Sequence, residues 1–138
     1  MLGKELNLKI SMAIALCFSL LIGSDLEREF SIAGNNRSEI ERAIREVPDY
    51  QYLGMEWLIT HMPKEDLKTL SSDFLLSNCQ LAYESQENSP WNESIPQDIF
   101  FDSILPYASL NERRDDWRAD FQSRFSSVIK EAETPYEA

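Results

Sequence analysis

Prolines and helix-start signals divide this chain into a succession of helical runs, and no stretch alternates apolar and polar residues as a half-buried strand would. Ser38 and Glu41 form a capping-box pattern around Ile40, Ala43, Ile44 and Val47, which recur at helical spacing until Pro48. Residues 50–62 are then apolar on nearly every side, with Leu53, Met55, Trp57, Leu58 and Ile59. A helix of that kind is usually enclosed by others, so this run reads as the buried centre of the domain. Pro63 closes it, and a short helical stretch can follow over residues 64–70. Ser71 or Ser72 can cap the next helix, which carries Phe74, Leu75, Cys79, Leu81 and Ala82 to about Glu84.

Residues 87–95 read as a loop with Pro90 and Trp91 at its middle. Ser94 and Gln97 make a second capping box around Pro96, a residue suited to a first helical turn. The helix behind it holds Ile99, Phe100, Ile104 and Leu105 and is broken by Pro106. Ser109 and Glu112 then open what reads as the longest element, running to about Glu131, with Trp117, Phe121, Phe125 and Val128 as its apolar stripe. The expected fold is all-α: five or six packed helices over residues 25–133, without an internal repeat, preceded by a signal peptide.

That signal occupies residues 1–24. Lys4 and Lys9 precede an uncharged apolar run from Ile10 to Gly23, shorter than the roughly 20 residues that cross a bilayer as a helix. A basic start, a short apolar run and the small-residue exit Gly23-Ser24 before Asp25 fit a cleavable export signal. An uncleaved membrane anchor and a buried N-terminal helix are the other readings. Cleavage would place the domain in a periplasmic or extracellular compartment. Of 13 basic and 24 acidic residues, removal of Lys4, Lys9 and Glu5 leaves 11 and 23, so the net charge moves from −11 to −12. Such a balance offers no field for DNA or RNA, and nucleic-acid partners are not expected. With 43% apolar residues the chain can fill a core, but one histidine and two cysteines are too few for a structural zinc site. The mature part keeps only Cys79, so it must hold itself by packing rather than by disulfides. At the far end, Thr134, Pro135 and Glu137 suit the first positions of a further helix, so residues 134–138 read as a helix start cut short.

Few side chains invite chemistry. Cys79 and His61 are the available thiol–imidazole pair, but both fall at structural positions, one in a helix and one at a core-helix end. Asp115 and Asp116 beside Arg113 and Arg114 read as charges in the first turns of the last helix, with Glu112 or Asp115 pairing to an arginine at i+3 or i+4. Trp91 and Trp117 could form an aromatic ligand shelf or serve as core and loop pins. Asn36-Arg37-Ser38 and Asn92-Glu93-Ser94 are sequons, relevant only in a eukaryotic secretory pathway. No catalytic, cofactor-binding or metal-binding residue follows from the pattern.

The run from Ile95 to Phe121, IPQDIFFDSILPYASLNERRDDWRADF, preceded by Pro90-Trp91, resembles the segment ahead of the catalytic core in bacterial exported transglutaminase-like proteins. AGNNRSEIERAI at 33–44, GMEWLITHMPKEDLKTL at 54–70 and SSDFLLSNCQLAY at 71–83 are similar to the N-terminal region of the same family, so the resemblance spans roughly residues 31–138. TPYEA at 134–138 resembles the opening of that family's next helix. The resemblance implies a papain-like core with a Cys-His-Asp triad downstream, as an intramolecular partner of this region. None of the triad motifs occurs in this sequence, and neither Cys79 nor His61 matches them. The implied role is a non-catalytic helical accessory domain, with a membrane partner only if residues 1–24 stay attached. Alternatives are an independent secreted peptide- or glycan-binding module and a signal-anchored interaction domain. The family-like residues whose role stays open are Pro90, Trp91, Pro106, Tyr107, Asn111, Glu112, Arg113, Arg114, Asp115, Asp116, Trp117 and Arg118.

Overall fold

A computed structural model describes residues 25–108 and 112–134, and the described chain is all-α, with no strand among those residues. Residues 25–33 are helical (α1). They lead through Gly34, whose φ of 58° only glycine adopts cheaply, and a 3-10 turn into α2 (Arg37–Glu46). Because α2 follows α1 almost directly, Ser38 lies inside the helix and the expected capping box does not form. Asn36 occupies the N-cap without capping, and Glu41 accepts from Arg37 Nε at 2.6 Å instead. Asn36, the first sequon asparagine, spends its amide on the carbonyls of Leu67 and Leu70 at 2.9 and 2.8 Å.

Helix α3 (Tyr52–His61) ends at Pro63 as its sequence requires, and the short α4 (Lys64–Leu67) follows. The expectation that residues 50–62 are buried all round is not met. Gly54, Met55, Leu58 and Ile59 face the core, while Tyr50 and Leu53 are 64% and 56% exposed. The centre is α5 (Ser72–Glu87), which contacts α2, α3 and α7 and buries Leu75, Asn78, Cys79 and Ala82. Ser71 caps it, its hydroxyl accepting from Phe74 N at 3.2 Å. Ser72 is sealed in, its N–H and hydroxyl both donating to Glu39 Oε2.

Ser94 does not cap the next helix either. Its hydroxyl donates to the Trp91 carbonyl, and Pro96 is the N-cap of α6 (Gln97–Ile99), which runs directly into a π-helical turn, Phe100–Ile104. Phe100 and Leu105 enter the core. The last described helix, α7 (Trp117–Glu131), starts at Trp117 rather than from Ser109, about two turns later than expected, and is one residue shorter than α5. Residues 112–116 are not helical, so Asp115 and Asp116 precede α7 rather than occupying its first turns. Ser109, the start signal at 134–138 beyond Thr134, and the export segment 1–24 lie outside the described residues. Among the described residues, no helix is long and apolar enough to cross a membrane.

Candidate functional site

Pro106 ends the π-helical turn and leaves the carbonyls of residues 104–106 without helical partners. Two side chains supply them. Arg118 Nη2 donates to Ile104 O at 2.6 Å and Pro106 O at 3.0 Å, and Asn78 Nδ2 donates to Leu105 O at 2.8 Å. Arg118 Nε also donates to Asn78 Oδ1 at 2.9 Å, so α5 and α7 are joined through one buried polar cluster. Burial pushes the Arg118 guanidinium down to about 10, partly offset by Cys79. The same burial raises the Cys79 thiol to about 12.

A second cluster ties Tyr107 to Arg114, both within the segment from Leu105 to Arg118. Asp66 of α4 accepts from the Tyr107 hydroxyl at 2.8 Å and from Arg114 Nε and Nη2 at 3.0 and 2.8 Å. The Tyr107 ring lies edge-on to Phe74, with centroids 5.6 Å apart, and Arg114 covers it at 5.8 Å. Desolvation, then the Asp66 bond, holds the Tyr107 hydroxyl far above its ordinary range. Trp117 Nε1 bridges the two clusters by donating to Tyr107 O. Arg114 Nη1 folds back onto the Glu112 carbonyl.

Of the twelve family-like residues, the structure therefore brings together Pro106, Tyr107, Arg114, Trp117 and Arg118. Glu112, Arg113, Asp115 and Asp116 lie on the exposed approach to α7, where Arg113 stands 3.4 Å from Asp115, a shorter separation in sequence than the i+3 or i+4 pairing expected. Asn111 lies outside the described residues. Pro90 is exposed, and Trp91 is half-buried with its indole N–H lacking an acceptor among the described residues. No ring contact among the described residues joins Trp91 to Trp117, so the two tryptophans form no shelf. Trp117 instead packs edge-on to Phe121 at 5.5 Å.

A cleft of about 1040 Å³ lies in front of this segment, with Trp57, His61, Tyr107, Arg113 and Trp117 among its walls. The His61 ring stacks on Trp57 with centroids 4.3 Å apart, and its Nδ1 engages the Trp57 carbonyl at 2.8 Å and the Thr60 hydroxyl at 3.0 Å. No hydrogen bond joins His61 to Cys79, which is fully buried. Among the described residues, no group of His, Cys, Asp and Glu side chains is placed to hold a metal ion.

The apolar stripe of the last helix faces outward. Phe121, Phe125 and Val128 are 53%, 45% and 43% exposed, while Arg118 takes the inner position. The rings of Trp117, Phe121 and Phe125 form a continuous row, Phe121 lying 5.5 Å from Trp117 and 5.4 Å from Phe125. Sequence reasoning missed Asp66 and Asn78, the two groups on which the segment hangs. The Trp57–His61 stack was within its reach, since the two residues are four apart on one helix. No protein-family model, curated protein or solved structure matches the chain.

Proposed function

We propose that this chain is an exported helical accessory domain of a transglutaminase-like protein, silent in acyl transfer by itself, that packs beside a Cys-His-Asp core. The observation that carries the reading is the open apolar face of α7, Trp117 to Val128, beside Tyr107 and Arg114 held at Asp66 and Arg118 held at Asn78. An apolar row of this kind, with polar groups around it, suits a protein surface more than water. The segment's sequence, LPYASLNERRDDWR, is the part most like the region ahead of such a core.

The test has two arms. The reading frame beyond codon 138 is expected to encode a cysteine at a helix start and then a histidine and an aspartate. The 138-residue chain is expected to show no thiol-dependent acyl-transfer or peptidase activity. A measured activity that Cys79→Ser abolishes overturns the reading.

The cleft at Trp57, His61 and Tyr107 favours a second reading, an independent peptide- or glycan-binding module. It requires saturable binding of a peptide or oligosaccharide to the chain and its loss in Trp57→Ala.

A further inference from the structure

Among the described residues Arg118 is the only buried basic side chain, 8% exposed. Its hydrogen bonds run to the Asn78 amide oxygen and to three backbone carbonyls, all neutral acceptors. No carboxylate among the described residues pairs with it, and a buried charge without a counter-charge is costly. Nε and Nη2 are committed to those bonds. Nη1 makes none, yet it is not sealed off from solvent.

The side chain lines a concavity of about 240 Å³ between the C-terminal half of α5 and α7. Phe121, Phe125 and Ile129 form its apolar wall, and the exposed Lys130 brings a second positive charge. Pockets for drug-sized ligands run to roughly 300–1,000 Å³, so this one suits a single ring or short chain with its headgroup. The cations select an anion, and the apolar wall selects one with a hydrocarbon part. The chain's overall net charge of −11 disfavours a multiply charged anion.

We propose that this concavity binds the carboxylate of a small amphipathic acid, with the headgroup at Arg118 and Lys130 and the hydrocarbon against Phe121, Phe125 and Ile129. A free aromatic or aliphatic acid and the C-terminal residue of a peptide share this chemistry. The site does not rest on the transglutaminase-like reading, although Phe121 and Phe125 belong to both surfaces, so a docked core and a bound acid would compete for them.

Calorimetric titration of the full chain with 3-phenylpropionate, set against its uncharged isostere 3-phenylpropanamide, tests the proposal. The acid is expected to bind saturably and at least tenfold more tightly than the amide, with the difference narrowing in high salt. An acetylated tripeptide ending in phenylalanine, with a free or an amidated C-terminus, then separates the two sources. If the free-terminus peptide binds more tightly than 3-phenylpropionate, the ligand is a peptide end; the reverse order assigns a free acid. Arg118 also holds the backbone at residues 104–106, so its replacement confounds binding with folding. Ser126→Phe fills the concavity from its wall and Lys130→Glu reverses its exposed charge, while neither touches those bonds. Each is expected to weaken acid binding tenfold or more with an unchanged urea midpoint. Equal affinity for acid and amide, absence of saturable binding at millimolar acid, or wild-type binding in both variants overturns the proposal.

Discussion

Asp66 and Arg114, 48 residues apart, meet through two guanidinium nitrogens, with Nη2 at 2.8 Å and Nε at 3.0 Å from the same carboxylate oxygen. The Tyr107 hydroxyl donates to that oxygen as well, so one side chain of α4 holds both Tyr107 and Arg114. Asp66→Asn leaves Arg114 without its counter-charge in a site that is largely shielded from water. It is expected to cost about 2–3 kcal/mol, the range for hydrogen bonds to charged groups. Tyr107→Phe removes one bond and is expected to cost about 1 kcal/mol. Urea unfolding of Asp66→Asn, of Arg114→Met and of the double variant measures the coupling, with Tyr107→Phe measured alongside. Strict additivity of the Asp66 and Arg114 losses would show that the pair contributes nothing.

Phe121 and Phe125 look like core residues in sequence and stand in solvent in the fold. Replacing both with serine is expected to change stability by no more than about 0.5 kcal/mol per site, as for other surface positions. Phe100, 2% exposed, makes the contrast, since Phe100→Ala is expected to cost about 3–5 kcal/mol. The serine variant should also bind less of a hydrophobic dye than the parent chain. A loss comparable to that of Phe100→Ala would mean that the α7 face is covered by the domain's own residues.

The helix ends at Pro48, Pro63 and Pro106 are legible in the sequence because proline acts locally, through its missing N–H and its ring. The starts are harder to read. A serine followed three residues later by Glu or Gln is a short pattern, and at Ser38 the preceding chain is already helical. At Ser94 the hydroxyl goes to the Trp91 carbonyl. Periodicity identifies α7 as a helix, yet it cannot say which face meets the domain. That choice falls to Arg118, which reaches four neutral acceptors brought together by Asn78 and the break at Pro106. Asn78 and Asp66 lie 40 and 48 residues from the arginines they hold, and no local spacing announces such partners.

Gly54 sits inside α3, where Gly→Ala ordinarily stabilises a helix by up to about 1 kcal/mol. A β-carbon at this position would meet Tyr83 Oη at 2.7 Å and Cε2 at 2.9 Å. Tyr83 has little room to retreat, because its ring lies edge-on to Phe100, with centroids 4.8 Å apart. Gly54→Ala is therefore expected to destabilise by about 1–2 kcal/mol, in the range of overpacked cores. Tyr83→Phe should not relieve the clash, since the ring carbon remains. In a Tyr83→Ala background the same glycine substitution should become neutral or stabilising. A stabilising Gly54→Ala in the parent chain would mean that Tyr83 is free to move.

Burial holds the Cys79 thiol at about 12, against an ordinary value of 9.0. The folded chain therefore keeps its proton where the unfolded chain has released it. Stability is unaffected below about pH 9 and falls as pH rises above it, by at most about 1.4 kcal/mol per pH unit. Tyr83, raised to about 12 by burial, and Tyr107, raised by burial and by its bond to Asp66, add to the loss as the pH nears and passes their ordinary 10.0. Arg118, lowered to about 10, acts with the opposite sign from there upward, because its folded form gives up a proton sooner than the unfolded one. Between pH 9 and 10 the thiol gives the largest share of the change, an expected loss on the order of 1 kcal/mol. The tyrosines and Arg118 act there in opposite directions and partly cancel. Urea unfolding at pH 8, 9 and 10 should show this slope in the parent chain and a clearly shallower one in Cys79→Ala. At pH 8 a disulfide reagent should label Cys79 only after denaturant is added. Equal slopes in the two chains, or immediate labelling of the native protein, would place the thiol outside the core.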